Sequence, residues 1–462
     1  MSENHLNDKP LAKAEEVLKN GEKVISEVEK EGLQAAKKVI QKPVKEARVF
    51  WHNLGPGLTT GAADDDPSGI GTYSQTGSQY GFQLLWLAPL SFPLMAIAQE
   101  MCARIGLVTG RGLAANIKKY FPKWVLYLVA LLILMANSFN IGADLGAMAK
   151  ATELLLPGLP YWFLVIGFVA ICLLFQIFIP YQKYARYLKY LALILLVYVV
   201  TAFFIKDFPW LEILKNGFIP SFSFNKAQII LICGILGTTI SPYLFFWETS
   251  QEVEEKIAAG KETIAERQEI GRNALRKMRT DVWVGMFFSN LVMFFIVATT
   301  AATLFQNGIT NIETASHAAA SLKPLAGNYA ALLFASGIIG TGLLAIPILA
   351  GSASYAVSET FGWKEGLYLR FRQGIYFYSV IIFSMLIGLA INFVGINPLK
   401  ALIYAAVANG LVAPVILILI LIISSNQKIM NFHANSVITK IFGWLLVSVM
   451  SVAGLATIIS LF

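Results

Sequence analysis

The chain has 462 residues, of which 56% are hydrophobic and only 14% charged, against about 25% charged in a typical soluble domain. That balance excludes a soluble globular enzyme and predicts an all-α polytopic membrane protein. The net charge of +8 sits mostly in the connections between apolar runs, where it reports orientation and calls for no nucleic-acid partner. Cys102, Cys172 and Cys233 lie inside apolar segments and read as small core residues, with no disulfide framework. His5, His52, His317 and His433 are scattered without metal-ligand spacing.

Residues 1–48 form a polar N-terminal unit with helical periodicity and no cleavable signal peptide. Ten Lys/Arg and nine Asp/Glu are interleaved there, so it is no polybasic lipid anchor. It reads as a solvated, cytoplasmic helix, or as an amphipathic one docked on the membrane or on the rest of the protein.

Eleven apolar stretches follow, each near the roughly 20 residues that cross a bilayer: 53–79, 82–106, 124–149, 161–180, 187–205, 228–250, 281–304, 328–350, 374–394, 398–424 and 437–461. Alternate connections differ sharply in basic residues. One set carries Arg104, Arg111, Lys118, Lys183, Arg276, Arg279 and Arg370 among others, the opposite set only a few scattered lysines. The positive-inside rule places the rich set in the cytoplasm, which puts the N-terminus inside and the C-terminus outside. The charged connection over 251–281 predicts an amphipathic cytoplasmic helix, with a plain solvated loop as the alternative.

The first stretch contains Gly61-Ala-Ala-Asp-Asp-Asp-Pro-Ser-Gly-Ile70. Charged groups at membrane depth are expensive and usually functional. Pro67 donates no N–H and drives the residue before it out of the helical region. A helix broken beside an acid offers carbonyl oxygens and a carboxylate to a cation. The sixth stretch breaks likewise, at Ser241-Pro242. Two interrupted segments five apart divide the chain into repeats of inverted topology, helices 1–5 over 49–205 and helices 6–10 over 206–424, with helix 11 in 425–462. Such paired breaks point to a transporter binding site.

Gly55-Pro-Gly57, Asp66-Pro-Ser-Gly69 and Gln75-Thr-Gly-Ser-Gln-Tyr-Gly81 resemble the first helix of the natural resistance-associated macrophage protein (NRAMP) family. Ala103-Arg-Ile-Gly-Leu-Val-Thr-Gly110, Gly142-Ala-Asp-Leu145 and Gly237-Thr-Thr-Ile-Ser-Pro-Tyr243 resemble its second, third and sixth helices. The resemblance implies divalent metal transport, mostly proton-coupled, in the broken-helix fold shared with amino-acid and sodium symporters. It also implies Asp66 as the principal ligand; the plainer alternative is a carboxylate capping the second half-helix.

The departures from the family pattern are chemical. Gly69 stands where the family has an asparagine ligand, Ser241 where it has methionine, Tyr243 where it has histidine, and Ala147 where it has a glutamate three residues after the aspartate Asp144. A thioether favours softer transition metals, whereas carboxylate, carbonyl, hydroxyl and water suit hard ions. The missing side chains also predict a wider pocket, suited to a partly hydrated Mg²⁺. The pattern resembles the NRAMP-related magnesium transporter branch.

The expected metal set is therefore Asp66, Asp65, Gly69, the carbonyls of Thr238 and Thr239, and Ser241. Asp64, Asp144, Tyr243, Glu100, Glu248 and Asn409 are pathway candidates, with Asn137 and Asn140 weaker ones. The expected substrate is Mg²⁺, with Mn²⁺ also carried, by alternating access with little proton coupling. A proton-coupled Mn²⁺/Fe²⁺ transporter is the alternative. No resident cofactor, nucleic acid or obligatory protein partner is expected beyond the ion and a lipid bilayer, expected to be a bacterial cytoplasmic membrane.

Three rival functions fit less well. An amino-acid symporter offers bare N–H groups to a carboxylate, which Asp64-Asp65-Asp66 would repel. A channel does not require two broken helices. A membrane enzyme lacks any visible paired-His motif, phosphate loop or nucleophile elbow.

Overall fold

A computed structural model describes residues 55–179, 193–223, 225–271 and 273–461. The N-terminal helix expected over 1–48 and the start of the fifth crossing lie outside the described residues. Those described are helical, with no strand. The first crossing is α1 (Pro56–Asp64) followed by α2 (Pro67–Tyr80). Then come α3 (Leu87–Thr109), α4 (Lys123–Leu155), α5 (Tyr161–Phe178) and α6 (Leu196–Phe204). The sixth crossing is α7 (Lys226–Thr239) followed by α8 (Pro242–Ala258). It leads to α9 (Ala274–Thr303), α10 (Ala330–Phe361), α11 (Ile375–Ile391), α12 (Pro398–Ser425) and α13 (Val437–Leu461). The order is two sets of five crossings, each opening on a broken helix, plus one more helix.

Seven stretches among the described residues are long and apolar enough to cross a membrane, the broken sixth crossing included. The other expected crossings depart for local reasons. Three aspartates interrupt the first, α3 carries Glu100 and Arg104, α6 is described only in part, and α11 spans 17 residues.

Both breaks use the same two-residue device. In the first, Asp65 leaves the helix at φ −86°, ψ 51° and Asp66 is extended at φ −66°, ψ 171°. In the second, Ile240 leaves at φ −118°, ψ 57° and Ser241 is extended at φ −77°, ψ 128°. The extended residue is in each case the one before proline, where ring crowding disfavours the helical region. The proline then opens the next half-helix, where its missing N–H costs nothing.

α9 packs along both halves of the first broken helix. Backbones meet there without side chains between them. A Cβ on Gly61 would lie 2.3 Å from the Gly285 carbonyl oxygen, and one on Gly285 would lie 2.2 Å from that of Gly57. Small residues allow this approach in a membrane, where packing replaces the hydrophobic effect as the main attraction between helices. Asp281 fastens the start of α1 by accepting from Gly57 N at 2.8 Å and Leu58 N at 3.3 Å.

The connection over 251–281 is not the single amphipathic helix expected. α8 continues to Ala258, a short helix spans Ile264–Arg267 with Thr263 as its cap, and α9 begins at Ala274. Gly260, at φ 85°, ends the first piece. Its charged sequence thus extends two crossing helices instead of forming one between them.

Candidate functional site

The breaks meet in the interior. Asp66 caps α2, its Oδ1 accepting from Gly69 N at 2.7 Å and from Ser68 Oγ at 2.7 Å. Its Oδ2 accepts from Asn140 Nδ2 on α4 at 3.0 Å. The capping alternative is therefore correct for one oxygen. A carboxylate oxygen offers two acceptor positions, so Oδ1 is filled while Oδ2 keeps one open.

Asp64, Asp65 and Asp66 are 0%, 3% and 1% exposed, so all three carboxylates are buried. Asp64 Oδ2 accepts from Ser289 Oγ on α9 at 2.6 Å. Asp64 Oδ1 and Asp65 Oδ1 have no hydrogen-bond partner. On α4, Asp144 is buried with neither carboxylate oxygen hydrogen-bonded. Among the described residues no lysine, arginine or histidine forms an ion pair with any of these four aspartates. Buried carboxylates without a counter-charge are costly, and a cation is what would offset that cost.

Across the gap, Gly69 abuts the end of α7. A Cβ there would lie 3.2 Å from Thr238 Oγ1, 3.3 Å from the Asp64 carbonyl oxygen and 3.3 Å from the Tyr73 ring. The absent asparagine therefore leaves no widened pocket at this point, because Thr238 and Tyr73 fill the space. Ser241 Oγ turns back on its own helix, donating to the carbonyls of Gly237 at 2.9 Å and Thr238 at 2.6 Å. Its hydrogen is spent there and its oxygen remains an acceptor. The Thr239 hydroxyl bonds Ile235 O at 2.8 Å, the ordinary fate of a helical threonine.

Tyr243 Oη donates to the carbonyl of Ala63 at 2.9 Å, tying α8 to the last turn of α1. One turn earlier on α1, Thr60 Oγ1 donates to Glu248 Oε2, while Glu248 Oε1 is unmatched. On α12, Asn409 is fully buried with both amide atoms unmatched. Its neighbour Gly410 lies in backbone contact with Gly237, whose added Cβ would come 2.3 Å from Gly410 N. Asn137 donates elsewhere, to Leu349 O at 2.9 Å and Ser352 Oγ at 2.7 Å.

Glu100 does not join the cluster. It accepts from Arg279 at 2.7 Å and Trp283 Nε1 at 2.9 Å, with Arg104 at 3.6 Å. Its charge is answered by Arg279 on α9 and Arg104 on α3. Among the described residues no three His, Cys, Asp or Glu side chains converge as a chelating centre. What the breaks gather is one capping carboxylate, flanking carboxylates, amides and carbonyls, with oxygen as the donor atom throughout. Ser289, Thr60 and Ser68 were not singled out in the sequence; the pair Ser289-Asn290 inside an apolar run is the signal that could have marked the first.

A sequence model for the family described as natural resistance-associated macrophage protein-like matches residues 57–460. The chain is 27% identical over 403 residues to a protein named divalent metal cation transporter MntH from Klebsiella pneumoniae (strain 342), covering 86% of this chain and 91% of that protein. It is 25% identical over 425 residues to a protein of the same name from Caldanaerobacter subterraneus subsp. tengcongensis, covering 90% and 95%. In structure it is similar to the Eremococcus coleocola manganese transporter in complex with an aromatic bis-isothiourea substituted compound, with a TM-score of 0.68, 19% identity, and 89% and 87% of the two chains covered. MhsT in complex with L-phenylalanine gives a TM-score of 0.60, 13% identity, and 88% and 98% covered. Both likenesses bear on the fold alone, an arrangement of two inverted five-helix repeats plus a further helix.

Proposed function

The chain belongs to the natural resistance-associated macrophage protein-like family, and on that premise we propose that it carries a divalent metal cation across a membrane, Mg²⁺ foremost and Mn²⁺ also. The observation behind this reading is the set of donors at the two breaks. Asp66 Oδ2 has one acceptor position open, and it is accompanied by the carboxylates of Asp65 and Asp144, the amide of Asn409 and the carbonyls around Thr238. Oxygen donors of this kind suit hard, octahedral ions. Thr238 and Tyr73 close the space beside Gly69, so the donor atoms and not the width of the pocket favour a hard ion.

Asp66 binds the ion directly in this proposal, and Asn140 orients it. Asp64 and Asp65 lie next to the ion and balance its charge. Glu248, on α8 and held by Thr60 one turn back along α1, lines the way to one membrane face. Movement of the half-helices α1 and α8 relative to α9 exposes the site to alternate sides, with the N-terminus in the cytoplasm. Proton coupling is weak because Tyr243 and Ala147 supply no group that titrates near neutral pH.

A second reading is a proton-coupled Mn²⁺ transporter. Its ion is favoured by the likeness to the Eremococcus coleocola manganese transporter, and its coupling by Asp144, a buried carboxylate whose oxygens have no hydrogen-bond partner. Proteoliposomes loaded with a pH dye separate the two: ion-driven acidification of the lumen supports the second reading, and ion uptake without it the first.

A further inference from the structure

A cavity of about 600 Å³ opens between the end of α3, the start of α9 and the turn leading into α13. We infer that it binds a phosphate-bearing anion, carried on a membrane lipid headgroup or free in the aqueous phase. Arg104, Arg276, Arg279 and His433 line it, against the single carboxylate of Glu100. Glu100 is already paired with Arg279 and Arg104 and accepts from Trp283. Positive charge therefore exceeds negative inside the cavity even after internal pairing.

The second observation is Arg104 itself. It is 7% exposed and gives one amino group to Asn435, yet its Nε has no acceptor. A buried guanidinium N–H without a partner is rare and costly, and an anionic oxygen in the cavity would satisfy it. Arg276 is exposed and forms no ion pair among the described residues, and Arg279 is 61% exposed beyond its bond to Glu100. Ser436 and Thr439, at the start of α13, add hydroxyls and the partial positive charge of a helix N-terminus.

The flank of the cavity is apolar. Phe432, which lines it, is exposed, as are Val437, Ile438 and Ile441 in the first turns of α13, next in sequence to the lining residues Ser436 and Thr439. A lipid whose headgroup entered the cavity would find its acyl chains against these side chains. Basic pockets between membrane helices take such headgroups.

Native mass spectrometry of the purified full chain tests this with phosphatidylglycerol beside phosphatidylcholine, and thermal melting with inorganic phosphate supplies the second arm. The expected result is preferential retention of phosphatidylglycerol, falling about fivefold in R276Q, or a phosphate-dependent rise in melting temperature that R276Q loses. The first outcome assigns a lipid headgroup and the second a free anion. R276Q alters an exposed side chain and is expected to leave the fold intact, as its melting temperature without ligand will show; R104Q repeats the test at the buried position. The inference is overturned if neither ligand distinguishes wild type from R276Q, or if the exposed control R372Q loses binding equally.

Discussion

Tyr243 and Ala63 join the two broken helices: the phenol on α8 donates at 2.9 Å to a carbonyl in the last turn of α1. A histidine occupies this position in the family pattern. Here the residue satisfies a backbone oxygen left open by the break. Tyr243→Phe keeps the ring and strands that buried carbonyl, a loss of about 1–3 kcal/mol. A lower melting temperature in detergent is expected, with the ranking of transported ions unchanged. A changed ion ranking would show that the phenol touches the ion.

Asn140 positions Asp66 Oδ2 across 3.0 Å. Removing a group that orients a ligand typically lowers metal affinity by about 10–100-fold. Asn140→Ala is therefore expected to raise the apparent KM for Mn²⁺ uptake by about tenfold or more while the protein stays folded. An unchanged KM would remove Asn140 from the site.

Ser241→Met replaces a hydroxyl that holds the Thr238 carbonyl at 2.6 Å with a thioether. The substitution frees that carbonyl and adds a soft donor. Cd²⁺ is expected to compete more strongly against Mg²⁺ in the variant than in wild type. An identical competition curve would leave Ser241 as a helix-packing residue only.

The contact between α1 and α9 has no room for a side chain at Gly285, where an added Cβ would come 2.2 Å from Gly57 O. Gly285→Val is expected to destabilise the protein and slow uptake, because α1 must shift from its seat. Gly167→Ala is the control, since nothing lies within 4 Å of a Cβ there. Equal melting temperatures for the two variants would contradict the packing described.

The breaks were legible in the sequence because proline imposes them locally: Asp66-Pro67 and Ser241-Pro242 fix the backbone whatever surrounds them. The aspartates stood out because charge is rare in an apolar run. The partners of those aspartates were not legible. Ser289 lies 225 positions from Asp64, and serine in a membrane helix more often packs or bonds its own backbone. The partner of Glu100 was not legible either: an acid near membrane depth stands out in the sequence, but Arg279, which bonds it, lies 179 positions away. The closure at Gly69 was not legible, because a missing side chain leaves a gap only when its neighbours do not close in, and Thr238 and Tyr73 do.

Uptake of Mg²⁺ and Mn²⁺ into proteoliposomes, wild type beside Asp66→Ala, bears on the central claim most directly. The account predicts saturable uptake of both ions by wild type and none above protein-free liposomes for Asp66→Ala, with both proteins equally folded by size-exclusion profile. Robust Mn²⁺ uptake without Mg²⁺ uptake would contradict the hard-ion assignment, and full activity in Asp66→Ala would contradict the site itself.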